Sequence, residues 1–463
     1  MEIPASPTLD IGRALDHGPF TLIQKIVVLM AAIAIVVDGF DGQLIGFAIP
    51  LMIREWGVSK AAFGPTLAAG LLGMGLGTVV AGVAADRVGR RRTLVACVLV
   101  FGMATAAIGF APDILTVTAL RFVAGLGIGG ALPMASTTTA EFTPARNRTI
   151  AVAATVVCFP LGGMLAGLVA GWILPTQGWR TLFWFAGAVA VLLSVVLAAV
   201  LPESPRFLAH RRERWPQLVR LLARIQRVTP AHTRFTDLSE TREATGQAGF
   251  GALFAGGQAR NTLAIWATLF CAVLSLYSAF SWLPTTLTSE GLSVRIASEG
   301  LMAHNLGGVI GSLVGAWFVS RFGSRWTLAI ACAGASISAF AMTGLHYQTQ
   351  IMWLIIGFGI HGTFLNAMYS PMYALCAYVY PTEVRATGTS AALAVGRGGG
   401  VLSSFIGAAV IGTGGTSGFL CLLGGGMAAA GIALLFVRRH IPARSVDEPV
   451  IGLAIPPQPG PQH

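Results

Sequence analysis

Long apolar runs recur along almost the whole chain, and they constrain its fold more than any other feature of the sequence. A transmembrane helix needs about 20 predominantly apolar residues, and about twelve runs reach that length. The runs do not alternate apolar and polar residues as the strands of a membrane β-barrel do. The sequence therefore predicts an all-α polytopic membrane protein with twelve transmembrane helices. The predicted spans are 26–50, 61–84, 93–111, 114–138, 149–172, 181–201, 260–284, 297–319, 327–345, 351–376, 386–412 and 416–437.

The composition excludes most soluble classes of protein. Only 11% of the residues are charged and 54% are hydrophobic, whereas a soluble domain carries about 25% charged residues. So few charges do not cover the surface of a water-soluble chain of 463 residues. The net charge of +11 does not indicate a nucleic-acid partner, because the basic residues lie mostly in short segments between apolar runs. We interpret these residues as topology signals and expect a lipid bilayer, not nucleic acid, around the chain.

The distribution of Lys and Arg predicts the orientation. If the N-terminus is cytoplasmic, most of the 30 basic residues fall in inner segments, as the positive-inside rule requires. We therefore expect both termini in the cytoplasm and the protein in the inner (plasma) membrane. The predicted division is a cytoplasmic N-terminal segment 1–25, a six-helix bundle 26–201, a cytoplasmic loop 202–259, a second six-helix bundle 260–437 and a disordered cytoplasmic tail 438–463. Within the loop, segment 212–227 fits an amphipathic helix on the inner membrane face; a solvated linker is the alternative.

Two sequence matches indicate an internal repeat. Residues 77–93 align without gaps to residues 311–327, and both segments carry Gly and Arg at the same positions. A second match at a similar offset relates the segment near Arg148 to the segment near Arg385. We therefore predict two six-helix repeats, with a substrate site near the midplane between them.

The first repeated segment also carries a family signature. Its sequence GVAADRVGRRR, from Gly82 to Arg92, resembles the loop between helices 2 and 3 of the major facilitator superfamily. The second copy has Ser320 in place of Asp86, so we expect the full charge network only in the first half. The resemblance implies a gate at the inner ends of the helices. The gating residues predicted in this way are Gly82, Asp86, Arg87, Gly89, Arg90, Glu141, Arg148, Glu383 and Arg385.

Further motifs narrow the resemblance. The chain contains DGFDG, RFVAGLGIGGALP, EFTPARNR, LPESPRFL, PTEVRATG and GRGGG, in that order. Together they resemble the aromatic acid:proton symporter family, whose members import benzoate-like or hydroxybenzoate-like acids. This resemblance implies the major facilitator fold and alternating access, with an aromatic acid and protons as partners.

Three charged residues lie inside the predicted spans of the first half. A charge at bilayer depth costs roughly 2.5 to 3.5 kcal/mol on insertion scales, which makes each one a functional candidate. Asp38 and Asp41 share one helix face, and Arg121 lies at a similar depth to Asp41. By resemblance to sugar porters, we assign proton coupling to Asp41 and Arg121, with Asp38 as an alternative acid. The alternative role is a buried ion pair that only fixes helix packing.

Arg397 is the charged candidate of the second half. It lies near the middle of the eleventh span, among glycines that allow a close approach to the backbone. Its planar guanidinium matches a carboxylate in shape and charge, which predicts an anchor for the substrate. A charge partner for Asp38 or Asp41, or a role in packing, are the alternatives.

Polar and aromatic residues on apolar helices are further candidates for the substrate site. A histidine can hydrogen-bond a ring hydroxyl, and an aromatic side chain can stack on the substrate ring. Satisfaction by a neighbouring residue, or a place in the core or interface belt, is the alternative for each. The polar candidates are His304, Asn305, His361 and Asn366. The aromatic candidates are Tyr277, Trp282, Tyr369 and Tyr373.

The predicted function is import of a small aromatic carboxylate with protons. A symporter for another organic acid or a sugar, a drug:proton antiporter and a non-transporting sensor are the alternatives. The chain has no GxxxxGK[ST] phosphate loop, so an ion gradient rather than ATP should drive transport. We expect no enzymatic activity, no cofactor, no metal and a monomeric protein.

Overall fold

The computed structural model describes residues 8–16, 18–226, 234–236, 250–255, 258–380 and 384–443. In the described part, ten helices are long and apolar enough to cross a membrane. These ten are α2 to α6 and α9 to α13 in chain order. The strands and α-helices are β1 Thr8–Asp10, α1 Ile11–Asp16, α2 Leu22–Trp56, α3 Phe63–Val88, α4 Arg90–Ile108, α5 Ile114–Phe142, α6 Ala145–Val200, α7 Pro205–Ala209, α8 Trp215–Gln226, β2 Arg234–Thr236, α9 Ala259–Ser289, α10 Val294–Phe322, α11 Ser324–Met342, α12 Ile351–Val379 and α13 Arg385–Leu435.

Two of these helices are much longer than one crossing requires. Helix α6 has 56 residues and α13 has 51, whereas about 20 suffice for a bilayer. Each contains one glycine with non-helical backbone angles, Gly178 (φ 78°, ψ 177°) in α6 and Gly415 (φ 55°, ψ −148°) in α13. Glycine adopts positive φ at little cost, so the chain turns there. Both glycines lie between two predicted spans, 172 to 181 and 412 to 416, where the sequence predicts a loop.

The helices pack in two groups. Helices α2 to α6 form one group, here called the N-terminal half, in which α3 lies along α5 and α2 along α6. Helices α9 to α13 form the C-terminal half, in which α10 lies along α12 and α9 along α13. Small residues permit these close contacts. A Cβ atom on Gly77 of α3, for example, would collide with the backbone carbonyl of Leu126 in α5.

The two halves meet near the ends of their helices. Helix α3 ends in the Gly82–Arg92 motif, and we call this side of the bundle the motif end. Contacts between the halves lie toward the opposite end, where Gly46 meets the backbone of Phe280 and Gly64 meets Phe405. Helices α6 and α10 also touch, with Gly167 against Met302.

A small layer covers the motif end of the N-terminal half, and the sequence did not predict it. Strand β1 pairs in parallel with β2, so the chain is not purely helical. Ile11 and Leu15 of α1 are fully buried, as are Leu218 and Leu222 of α8. These side chains belong to one apolar cluster that includes residues of α2 and α5. The predicted amphipathic helix is therefore present over Trp215–Gln226, but its apolar face packs on protein and not on the membrane face.

Residues 438–443, which fall in the predicted tail, are attached to the C-terminal half. The Arg438 amide donates to Asn261 Oδ1 at 2.9 Å, and the Ser324 amide donates to the Ile441 carbonyl at the same distance. The rest of the predicted tail lies outside the described residues.

Candidate functional site

The acidic pair lies deep in the N-terminal half. Asp38 and Asp41 are one helical turn apart on α2, and they are only 1% and 2% exposed. Asp41 Oδ1 accepts a hydrogen bond of 2.5 Å from Thr105 Oγ1 on α4. Asp41 Oδ2 lies 3.9 Å from Arg121 Nη1. Asp38 Oδ1 is buried without a hydrogen-bond partner. The two carboxylates therefore share a helix face but differ in their surroundings.

Arg121 reaches α2 from α5. Its Nη1 and Nη2 atoms lie 3.5 Å from the carbonyl oxygens of Asp41 and Gly42, and its Nε has no partner. The structure thus brings Arg121 and Asp41 together. The contacts are long, so the guanidinium is held loosely. A role of this pair in proton coupling stays a prediction.

Arg397 is the charged candidate of the C-terminal half. It is half-buried on α13, and no described carboxylate lies within ion-pair distance of it. It lies within electrostatic range of the phenols of Tyr277, Tyr369 and Tyr373. The hydroxyls of Tyr369 and Tyr373 are 3.1 Å apart. Arg397 therefore forms no ion pair with Asp38 or Asp41 in this conformation, and three half-buried phenols lie within its electrostatic range.

Two phenylalanines near Tyr277 were missed by the sequence analysis. Phe159 of α6 and Phe280 of α9 face each other across the two halves, with ring centroids 6.4 Å apart. The ring of Tyr277 lies 5.9 Å from that of Phe280. No signal in the sequence separates these rings from ordinary core aromatics, since 25 phenylalanines occur in the chain.

The two predicted histidines are buried side by side near Phe280. His304 and His361 are fully buried, with ring centroids 5.5 Å apart, and the His304 ring is 6.0 Å from that of Phe280. None of the four ring nitrogens has a hydrogen-bond partner. A role of the pair in substrate binding stays a prediction. Asn366, the amide on the same helix as His361, donates to the Gly362 carbonyl at 3.0 Å.

Asn305 and Trp282 are also occupied by protein partners. The Asn305 side chain exchanges hydrogen bonds with Gln43 of the N-terminal half, at 3.0 and 2.7 Å. Trp282 is fully buried, and its Nε1 donates to the Ser403 carbonyl at 3.2 Å. Trp282 is therefore a core residue, which was the alternative interpretation. Asn305 belongs to the contact between the halves.

The predicted gating residues form a charge cluster at the motif end. Arg90 Nη1 is 2.9 Å from Asp86 Oδ1, and Arg90 Nε is 3.5 Å from Glu141 Oε1. The Asp86 side chain is 73% exposed. Gly89 forms the turn between α3 and α4, with φ 108°, and the Arg87 carbonyl accepts a bond from Arg211. Gly82 has open space beside its Cα.

The remaining gating residues differ in their contacts. Arg148 forms an ion pair with Asp16 of α1 and donates to the Ala140 carbonyl at 2.9 Å. Arg385 Nε lies 3.5 Å from the Tyr380 carbonyl. Glu383 lies outside the described residues. Ser320, the counterpart of Asp86, donates to the carbonyl of Trp317 at 2.7 Å. Among the described residues, only the first copy of the motif therefore shows a cluster of Asp86, Arg90 and Glu141.

Glu203 is a member of this cluster that the sequence analysis did not assign. Its Oε1 accepts from the Arg91 amide at 3.0 Å and from the Ser204 amide at 3.1 Å. Glu203 thereby supplies an anionic acceptor to the free amides at the start of α4. The PESPR segment that contains it was the available signal. No group of three potential metal ligands occurs among the described residues.

Apolar helices around buried carboxylates, guanidiniums and phenols define a polytopic membrane transport protein. A family model described as the Major Facilitator Superfamily matches residues 31–404 and 300–459. The chain belongs to this superfamily and is a transporter, not an enzyme. This confirms the resemblance that the Gly82–Arg92 motif indicated.

Curated relatives extend over most of the chain. The gallate transporter of Pseudomonas putida is 33% identical over 433 residues, covering 93% of this chain and 96% of the relative. The 4-hydroxybenzoate transporter PcaK of Pseudomonas aeruginosa is 32% identical, covering 89% of this chain and 92% of the relative. The resemblance to aromatic acid transporters is thereby confirmed.

Solved structures share the fold. A partially occluded, inward-open structure of the xylose transporter XylE from E. coli has a TM-score of 0.71 at 17% identity, covering 91% of this chain and 99% of the other. A D-xylose–proton symporter structure has a TM-score of 0.68 at 18% identity, covering 90% and 97%. At such identities the likeness defines the fold alone.

Proposed function

We propose that this protein imports a small aromatic carboxylate, benzoate-like or hydroxybenzoate-like, together with protons and by alternating access. The observation that carries the proposal is Arg397, a half-buried cation beside three phenols with no described carboxylate in ion-pair range. A substrate carboxylate can form an ion pair with Arg397, and the phenols offer ring faces and hydroxyl groups to the aromatic part of the substrate. The names of the gallate and 4-hydroxybenzoate transporters support the same substrate class.

The proton in this proposal binds to Asp41. The carboxylate is buried, and its contacts to Arg121 are long enough to be broken by a small movement of either helix. A carboxylate whose cationic partner comes and goes alternately favours binding and release of a proton. Asp38, which is buried without a partner on one oxygen, is the alternative acid.

The layout in the membrane is also a proposal. Helices α6 and α13, each turning at a glycine, would cross twice, so that ten helical segments make twelve crossings in two six-helix repeats. The repeat is supported by the matching helix pairs of the two halves, since α3 packs on α5 as α10 does on α12, and α2 on α6 as α9 does on α13. With the basic motif end facing the cytoplasm, both termini are cytoplasmic and the protein lies in the inner membrane. We propose a monomer, with bundles at 26–201 and 260–437 joined by the loop 202–259.

Uptake into proteoliposomes tests the proposal. Purified protein is reconstituted, a pH gradient is imposed with the acidic side outside, and labelled gallate, 4-hydroxybenzoate, benzoate, niacin and xylose are compared. Protein-free vesicles are the essential control, because the neutral form of an aromatic acid crosses lipid unaided. We expect protein-dependent accumulation of aromatic acids that a proton ionophore abolishes. Accumulation of xylose in preference to every acid, or uptake indifferent to the gradient, would contradict the proposal.

A further inference from the structure

The shortest polar contact of Asp41 comes from a neutral residue. Thr105 of α4 is fully buried, and its Oγ1 donates to Asp41 Oδ1 at 2.5 Å. The nearest nitrogen of Arg121 lies 3.9 Å from the other oxygen. A hydroxyl–oxygen distance of 2.5 Å is typical of a bond to a charged carboxylate. The hydroxyl, and not the guanidinium, therefore makes the direct hydrogen bond to this side chain.

This use of a helical threonine differs from the common pattern in the same protein. The hydroxyls of Thr155 and Thr286 donate to the carbonyl four residues earlier in their own helices, both at 2.8 Å. That local bond is the usual partner of a buried helical threonine. The hydroxyl of Thr105 instead reaches across to α2. When Asp41 carries a proton, rotation of χ1 would let the Thr105 hydroxyl turn to the Phe101 carbonyl, so the bond to Asp41 is reversible.

Few other groups act on Asp41. The charged residues within electrostatic range are Asp38 on its own helix and Arg121 on α5. Helix α6 packs Phe159 against the neighbouring Gly39 and Gly42 of α2. Cys97 of α4 and Tyr277 of α9 lie nearer to Asp38. Asp41 is therefore influenced by the Arg121 cation, by the Asp38 anion and by the hydrogen bond from the Thr105 hydroxyl.

We propose that Thr105 is a positioning residue that sets the pH range over which Asp41 takes up and releases its proton. The hydroxyl donates to the ionised carboxylate and so favours that form over the acid. It also holds Oδ1 toward α4, which leaves Oδ2 for Arg121. This inference rests on the proposed function, in which Asp41 carries the proton.

Infrared titration of the protein in lipid vesicles tests the inference directly. The carboxyl C=O band that is present in the wild type and absent in Asp41→Asn reports the protonated acid. Because a hydrogen bond to a charged group favours the ion, we expect Thr105→Val to keep this band to a pH about one unit higher. Thr105→Ser, which retains the hydroxyl, should titrate as the wild type does. The matched control is Thr286→Val, whose hydroxyl bonds only its own helix, and its band should not move.

A titration of Thr105→Val that superimposes on the wild type would overturn the inference, as would an equal shift in Thr105→Ser. If Thr105→Val does not fold, Thr105→Ala removes the hydroxyl without placing a second methyl group beside the carboxylate, and the same outcomes apply. The infrared band does not require transport. A wild-type protein without proton-driven uptake would therefore contradict the proposed function, while the shift of the band would still decide the role of Thr105.

Discussion

The side-chain amides of Gln43 and Asn305 join the two halves of the transporter by a reciprocal pair of hydrogen bonds. Gln43 Nε2 donates to Asn305 Oδ1 at 3.0 Å, and Asn305 Nδ2 donates to Gln43 Oε1 at 2.7 Å. Both residues are 1% exposed, and Gly163 of α6 lies directly against the pair. In the proposed alternating-access cycle one half moves against the other, so we expect these two amides to separate in another state of the cycle.

Removing one amide should destabilise the conformation described here. In Gln43→Met the shape is kept, but Asn305 Oδ1 is left buried without a donor while Nδ2 keeps its bond to the Leu301 carbonyl, which costs about 1–3 kcal/mol. Asn305→Leu should cost a similar amount, and the double variant less than the sum of the two. The measurement is the free energy of unfolding in mixed micelles. Gln43→Met combined with Asn261→Leu, a distant site, should be additive, and additivity in the Gln43–Asn305 cycle would refute the coupling.

Asp41→Asn should separate proton coupling from substrate movement. Asparagine keeps an acceptor for the Thr105 hydroxyl but does not carry an exchangeable proton. We expect the variant to lose pH-driven accumulation and to retain exchange of labelled for unlabelled substrate. The comparison is Asp38→Asn, which should still accumulate substrate. The reverse result would assign the proton to Asp38.

Arg397 should anchor the substrate carboxylate. Lysine keeps the charge but loses the planar fork, so Arg397→Lys should weaken binding about tenfold, which corresponds to the loss of one charge-assisted hydrogen bond. Arg397→Ala should bring binding below detection. Calorimetry on monodisperse protein measures both, with Arg295→Ala, an exposed arginine, as the control. Native affinity in a well-folded Arg397→Ala protein would exclude the anchor.

Glu203 should stabilise the start of α4. Its carboxylate accepts from the Arg91 amide, where the unpaired amides of a helix favour an anion. Glu203→Gln should lower the free energy of unfolding by about 1 kcal/mol. Thermal unfolding of purified protein reports the change. Glu299→Gln, which affects an exposed ion pair, should have a smaller effect. Equal losses in the two variants would rule out a capping role.

The sequence by itself determined the membrane class, the family and the charged residues. Apolar runs of helical length have one stable arrangement in a bilayer, because every backbone amide must be bonded within its own segment. A charge in such a run is expensive, so Asp38, Asp41, Arg121 and Arg397 could be recognised without a structure.

Only the tertiary structure decided how the neutral polar residues are used. Thr105, Gln43 and Asn305 are neutral, and a threonine or asparagine in a helix can bond its own backbone, as Thr155, Thr286 and Asn305 do. The type of each residue therefore does not identify the residue to which it bonds. The partner of each is set by helix packing, which brings residues 64 and 262 positions apart into hydrogen-bond range. For the same reason only the structure shows that the rings of His304 and His361 lie against each other and near Phe280.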